Sequence, residues 1–166
     1  MLCDILRWPT IMKQLTFKLI LPLTVISFAT ITKWWYVLPI DAPDTLYSGF
    51  PLPFVGDGWH TSMSLQIFIL ELVTDFLIYF LFWFLVLFCV NKYLSTIKTY
   101  KIVTVGLWTI SGIIILGASY IASVPEHRFY FKRPYQMEIM QTGYKFIWQH
   151  TERPDYYKYH PEDKKE

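Results

Sequence analysis

The chain has 166 residues, 54% of them hydrophobic and 17% charged, and a net charge of only +2. Soluble domains average about 45–50% apolar and about 25% charged residues. Here the apolar residues also stand in long blocks, which excludes a disordered chain, a collagen-like chain and an ordinary soluble enzyme domain. What remains is a membrane protein whose first partner is the lipid bilayer. No stretch combines a basic stripe with stacking aromatics, so no nucleic-acid partner is expected.

In chain order, residues 1–18 read as a basic flank carrying Arg7, Lys13 and Lys18. Met12-Lys13-Gln14 reads as an alternative start, which makes residues 1–11 an upstream extension. The first span is expected at 19–38, with Pro22 in its opening turn, where a missing N–H costs little. No small-x-small cleavage site follows it. Lys33, Trp34, Trp35 and Tyr36 follow instead, the composition of an interfacial anchor, so the helix is read as uncleaved.

Residues 39–64 form the first loop. Phe50, Leu52, Phe54 and Trp59 are apolar for a loop, and the prolines and glycines among them specify turns. The expectation is an ordered cap packed over the bundle on the outer side; the alternative is a docking surface made by Phe50, Phe54, Asp57, Trp59 and His60. Asp57 and His60, with Asp41 and Asp44, supply metal-ligating atom types, but their spacing matches no metal signature, so no metal is expected.

The second span is expected at 65–90. Between Phe76 and Val90 there is no charge, and seven of the fifteen residues are aromatic. These rings surround the helix, as lipid contact and packing require. Glu71 and Asp75 share a face of this helix. Counted at about 1.5 Å per residue, Asp75 and Lys33 fall at similar depth in antiparallel spans, so Lys33, Glu71 and Asp75 are read as one intramembrane charged cluster. The bland alternative is two acids favoured by the helix N-terminus.

The third span is expected at 102–123. Gly106, Ser111, Gly112 and Ala118 would give it a small-residue packing face. The tail, 124–166, is too polar to cross. Met137, Met140, Tyr144, Ile147 and Trp148 fall near one helical face, so an amphipathic helix over 135–150 is expected, weakened by Gly143.

The fold expected is therefore all-α: three transmembrane helices, an ordered Pro/Gly-rich outer loop and an amphipathic tail. Lys92, Lys98 and Lys101 with the basic N-terminal flank place those segments in the cytoplasm, and the first loop and tail outside. Arg128, Lys132 and Arg133 argue weakly the other way. A bacterial cytoplasmic membrane is the default location. Cys3 and Cys89 read as idle thiols. No C-x-x-C, Walker loop, H-E-x-x-H or dinucleotide fingerprint is present, so no cofactor is expected and no reaction is fixed. The histidines lie outside the expected spans, which argues against an intramembrane bis-histidine haem.

Three functions fit this pattern. The first is a small non-catalytic accessory or assembly subunit of a larger membrane complex. The second is a small membrane enzyme or carrier using Glu71 and Asp75 for proton or lipid-headgroup chemistry. The third is a self-associating structural membrane protein.

Overall fold

A computed structural model describes residues 12–39, 43–59, 61, 64–146, 149, 151 and 154–159. Three helices are long and apolar enough to cross a membrane: α1 (Met12–Thr30), α2 (Ile69–Leu94) and α3 (Lys101–Ala122). Six strands accompany them: β1 (Ile31–Pro39), β2 (Thr45–Ser48), β3 (Val55–Asp57), β4 (Leu65–Phe68), β5 (Arg128–Tyr130) and β6 (Met137–Phe146). They form a single mixed sheet in the order β5-β4-β3-β2-β1-β6.

The all-α expectation is thus overturned, because the span ends, the outer loop and the tail form a sheet. The first apolar run is split at Thr30. Upstream it is helical from Met12; downstream, Ile31, Thr32, Trp34, Trp35, Tyr36 and Val37 are β-branched or aromatic and form β1. Hydropathy measures transfer into an apolar phase and does not distinguish these two backbones. The second run is split likewise. Leu65–Phe68 is strand β4, with Gln66 and Phe68 buried in alternation, and the helix begins at Ile69. The amphipathic tail helix is replaced by β6, which pairs antiparallel with β1 from Ile31↔Phe146 to Pro39↔Met137, with a bulge between Tyr36 and Val37.

The chain divides into two compact units. One holds α1, α3 and α2 from Val73 onward; the other holds 31–72 and the chain from Glu126.

In the helical unit Pro22 is interior to α1 rather than in its first turn. A π-helical turn, Thr16–Ile20, precedes it and widens the backbone where proline cannot donate. Thr24 and Ser27 return their hydroxyls to the Ile20 and Leu23 carbonyls at 2.8 and 2.7 Å, which hides them from lipid. Ser27 Oγ also accepts from Trp83 Nε1 at 2.9 Å, and Phe28 meets Phe76 and Tyr79 edge-on, joining α1 to α2. Ser111 on α3 is fully buried and donates to the Pro22 carbonyl at 3.1 Å. Of the expected packing face on α3, Ser111 alone is buried. Gly106 and Ala118 are exposed, and neither Gly106 nor Gly112 has another group within 4 Å of a built Cβ.

The sheet unit packs around Val37, Tyr47 and Phe68, with Trp35, Tyr130, Tyr135 and Met137 against them. Gly56 on β3 lies under the Tyr47 ring, whose Cδ1 would stand 2.2 Å from a Cβ built on Gly56. Only glycine admits that ring to the core. Within the expected outer loop, 39–64, Thr45–Ser48 and Val55–Asp57 are strands β2 and β3 of the sheet.

Candidate functional site

Strand β4 runs straight into α2. Leu70 N–H, in the first turn of that helix, donates to the Phe131 carbonyl at 3.1 Å. Beside it, β4 and β5 pair in parallel up to Phe68↔Tyr130. These contacts hold the segment after β5 across the mouth of the helix. Glu71, Lys132, Arg133, Pro134, Tyr135, Gln136 and Met137 then line an open cleft of about 540 Å³. That size falls within the about 300–1,000 Å³ of small-molecule sites.

The cleft carries charge of both signs. Glu71 Oε2 is shielded from solvent and has no hydrogen-bond partner among the described residues. Lys132 is exposed. Arg133 Nη1 lies 3.7 Å from Met137 Sδ, a weak contact and its one side-chain bond among the described residues.

Behind the cleft runs a directed chain of hydrogen bonds. Tyr135 donates its hydroxyl proton to Gln66 Oε1 at 2.9 Å. Its oxygen also touches the Tyr47 hydroxyl. A phenol has one proton, so Tyr47 is the donor in that pair. Gln66, nearly fully buried, passes the direction on by donating Nε2 to the Asp57 carbonyl at 3.4 Å. Burial pushes the Tyr47 hydroxyl far above the ordinary phenol range; donation to Tyr135 adds to this and Arg133 opposes it. Tyr135 is also raised, by burial first, with the Tyr47 proton and Arg133 working against it. Both phenols stay protonated at neutral pH and serve as positioned donors.

Of the expected charged cluster, Lys33 and Glu71 belong to the sheet unit and Asp75 to the helical unit. Lys33 belongs to β1, where its ammonium sits 3.8 Å from the centre of the Trp35 ring. Glu71 lies at the cleft. Asp75 is in the helical unit, fully buried and not without a partner.

The expected docking loop is mostly internal to the sheet unit. The Phe50 ring meets Tyr144 at 5.4 Å, and the Phe54 carbonyl accepts from Phe68 N–H at 2.8 Å. Trp59 donates Nε1 to Thr45 Oγ1 at 3.0 Å, and its ring stands 5.0 Å from Tyr135. Asp57 is exposed on β3. His60 and Asp41 lie outside the described residues, as do Cys3, Ile147 and Trp148. Asp44 accepts from the Tyr36 hydroxyl. Among the described residues no three His, Cys, Asp or Glu side chains cluster as a metal site.

Sequence reasoning did not single out Tyr47, Gln66 or Tyr135, and used Lys132 and Arg133 only for orientation. It also passed over His127, a nearly buried ring that accepts Leu65 N–H on Nδ1 at 3.2 Å. Its Nε2 is buried without a partner among the described residues. One signal was legible: Gln66 is a polar residue inside an apolar run, and such a residue demands partners. No protein-family model, curated protein or solved structure matches the chain.

Proposed function

We propose that this protein is a non-catalytic accessory subunit of a larger membrane assembly, held by its three helices and engaging its partner through the sheet. The observation that carries this reading is strand β6. It is ten residues long, pairs with β1 on one side and stands at the end of the sheet on the other. Among the described residues no strand pairs with its outer edge, and Gln149 bonds that strand only at its end, at Phe146; such an edge can pair with another chain, and proteins that do not use one blunt or cover it. Ile139 and Tyr144 on this strand are exposed.

The pairing of β1 with β6 also supports two crossings by α2 and α3, since both strands must lie on one side of the bilayer. With the lysine distribution, that side is the outer one of a bacterial cytoplasmic membrane.

The test is extraction of the tagged chain in mild detergent, followed by native mass and identification of co-purifying proteins. A stoichiometric set of other membrane proteins, lost on Ile139→Lys with the fold intact, supports the reading. A lone monomer defeats it. A homo-oligomer defeats it too, in favour of self-association.

A further inference from the structure

The open cleft at the mouth of α2 is lined by one carboxylate and two cations. Glu71 Oε2 is shielded from water and unpartnered among the described residues, an arrangement that costs free energy unless a donor completes it. Lys132 and Arg133 line the same cleft, and Tyr135 stands at its wall. A ligand that satisfies these groups together carries an anionic oxygen cluster for the two cations and an N–H donor cation for Glu71.

The surroundings indicate where such a ligand comes from. Glu71 is in the first turn of a helix apolar enough to cross a membrane. Leu70 and Phe131, the chain neighbours of Glu71 and Lys132, are exposed, Phe131 at 76%, as are Ile69 and Phe129. Large exposed apolar side chains beside a cationic rim are what an acyl-chain and headgroup boundary accepts.

We propose that this cleft binds a phosphodiester bearing a primary ammonium group, the headgroup of phosphatidylethanolamine, with Lys132 and Arg133 on the phosphate and Glu71 on the ammonium. Arg133 supplies a planar fork suited to phosphate oxygens, and Lys132 a point charge. Glu71 discriminates by hydrogen bonding. A primary ammonium donates to its carboxylate, whereas the quaternary ammonium of choline has no N–H. Choline is instead recognised by aromatic cages, and among the described residues the cleft lining holds one aromatic residue, Tyr135. Glycerol headgroups bring the phosphate but no cation. The binding role is independent of the accessory-subunit reading.

The experiment uses the full chain in mild detergent, titrated with short-chain dihexanoyl phosphatidylethanolamine, phosphatidylcholine and phosphatidylglycerol and read by native mass spectrometry. The ethanolamine lipid binds about tenfold more tightly than either of the others, the scale of one charge-assisted hydrogen bond. Glu71→Gln removes that preference, bringing the ethanolamine and glycerol lipids to similar affinity. Lys132→Gln, at an exposed position, weakens the ethanolamine and glycerol lipids alike and preserves their order. Equal affinity for the three lipids in the unsubstituted chain overturns the proposal. So does an ethanolamine preference that survives Glu71→Gln in a folded protein. If Glu71→Gln lowers the thermal midpoint, the Lys132→Gln series decides: unchanged affinity for both lipids overturns the site. Free phosphoethanolamine distinguishes the source. Binding about tenfold or more weaker than the lipid supports a membrane ligand, and binding as tight as the lipid overturns the lipid as the ligand's source.

Discussion

The indole of Trp34 lies across the backbone of β6 at Gly143, so close that a Cβ built on Gly143 would stand 2.6 Å from its Nε1. The two residues are register partners in the β1–β6 ladder, which joins the first strand of the sheet to the last. Gly143→Ala therefore forces the ring or the strand to move and should destabilise the sheet unit by about 1–3 kcal/mol. The same substitution at Gly117, where a built Cβ meets nothing within 4 Å, should be neutral or stabilising, by up to about 1 kcal/mol of helix propensity. Thermal unfolding of both variants in detergent, followed by near-ultraviolet circular dichroism, tests the opposite signs.

Removing one hydroxyl from the buried relay should cost less than removing the other. Tyr47→Phe deletes a donor and leaves the Tyr135–Gln66 bond in place; the expected loss is about 1 kcal/mol. Tyr135→Phe strands both the Tyr47 proton and Gln66 Oε1, for about 1–3 kcal/mol. Unfolding midpoints that rank the other way would show that the donor order is reversed.

The same pair sets an alkaline limit. Burial raises both phenols above their ordinary value, so above about pH 10 the folded state holds protons that the unfolded chain has released. The stabilisation is complete below the unfolded value and falls as pH rises from there toward the folded values. Unfolding midpoints measured between about pH 8 and about pH 11 should drop at the high end. The drop should shrink in the Tyr47→Phe/Tyr135→Phe double variant.

Within the helices, Ser27 Oγ accepts the Trp83 indole N–H while donating to the Leu23 carbonyl. Ser27→Ala leaves the indole N–H without this acceptor between α1 and α2. Interhelical hydrogen bonds in membranes average about 0.6 kcal/mol. Ser27→Ala and Trp83→Phe should be non-additive, because each removes the same bond. A double-mutant cycle on detergent stability measures the coupling, and full additivity would show that the bond contributes nothing.

Asp75 is fully buried in α2 and has partners. Asp75→Leu should sharply lower the amount of protein in the membrane fraction, because those partners are left unsatisfied in an apolar environment. Asp75→Asn keeps the shape and the hydrogen-bonding capacity and should keep most of it. Quantitative immunoblotting of membranes distinguishes them; equal levels in both would remove Asp75 from the structural core.

The elements that hydropathy misassigned share one cause. Residues 31–38 and 65–68 extend apolar runs that are helical elsewhere, so a window average carries them along with their neighbours. Their strand character lies in side-chain type, the branched and aromatic residues of β1, and in the short alternation of β4, where Gln66 and Phe68 are buried. Four residues of alternation are too few to outweigh a long apolar run. Gly143, which weakens a helix over 135–150, fits β6 because it admits Trp34.

The amino-acid sequence by itself determines three apolar segments, the polar connections between them and the separation of acidic from basic flanks. All of these are local sums over neighbouring residues, and transfer free energy is additive along the chain. Tertiary structure alone decides that the outer loop and the tail make one sheet. The partners in its longest ladder, Ile31 and Phe146 at one end and Pro39 and Met137 at the other, stand about a hundred residues apart. It also decides the cleft, because Glu71 and the Lys132–Met137 segment meet only once β5 lies beside β4 and Phe131 caps the helix that Glu71 begins. Strand pairing depends on which distant backbone is brought alongside, and no local property of either segment records that choice.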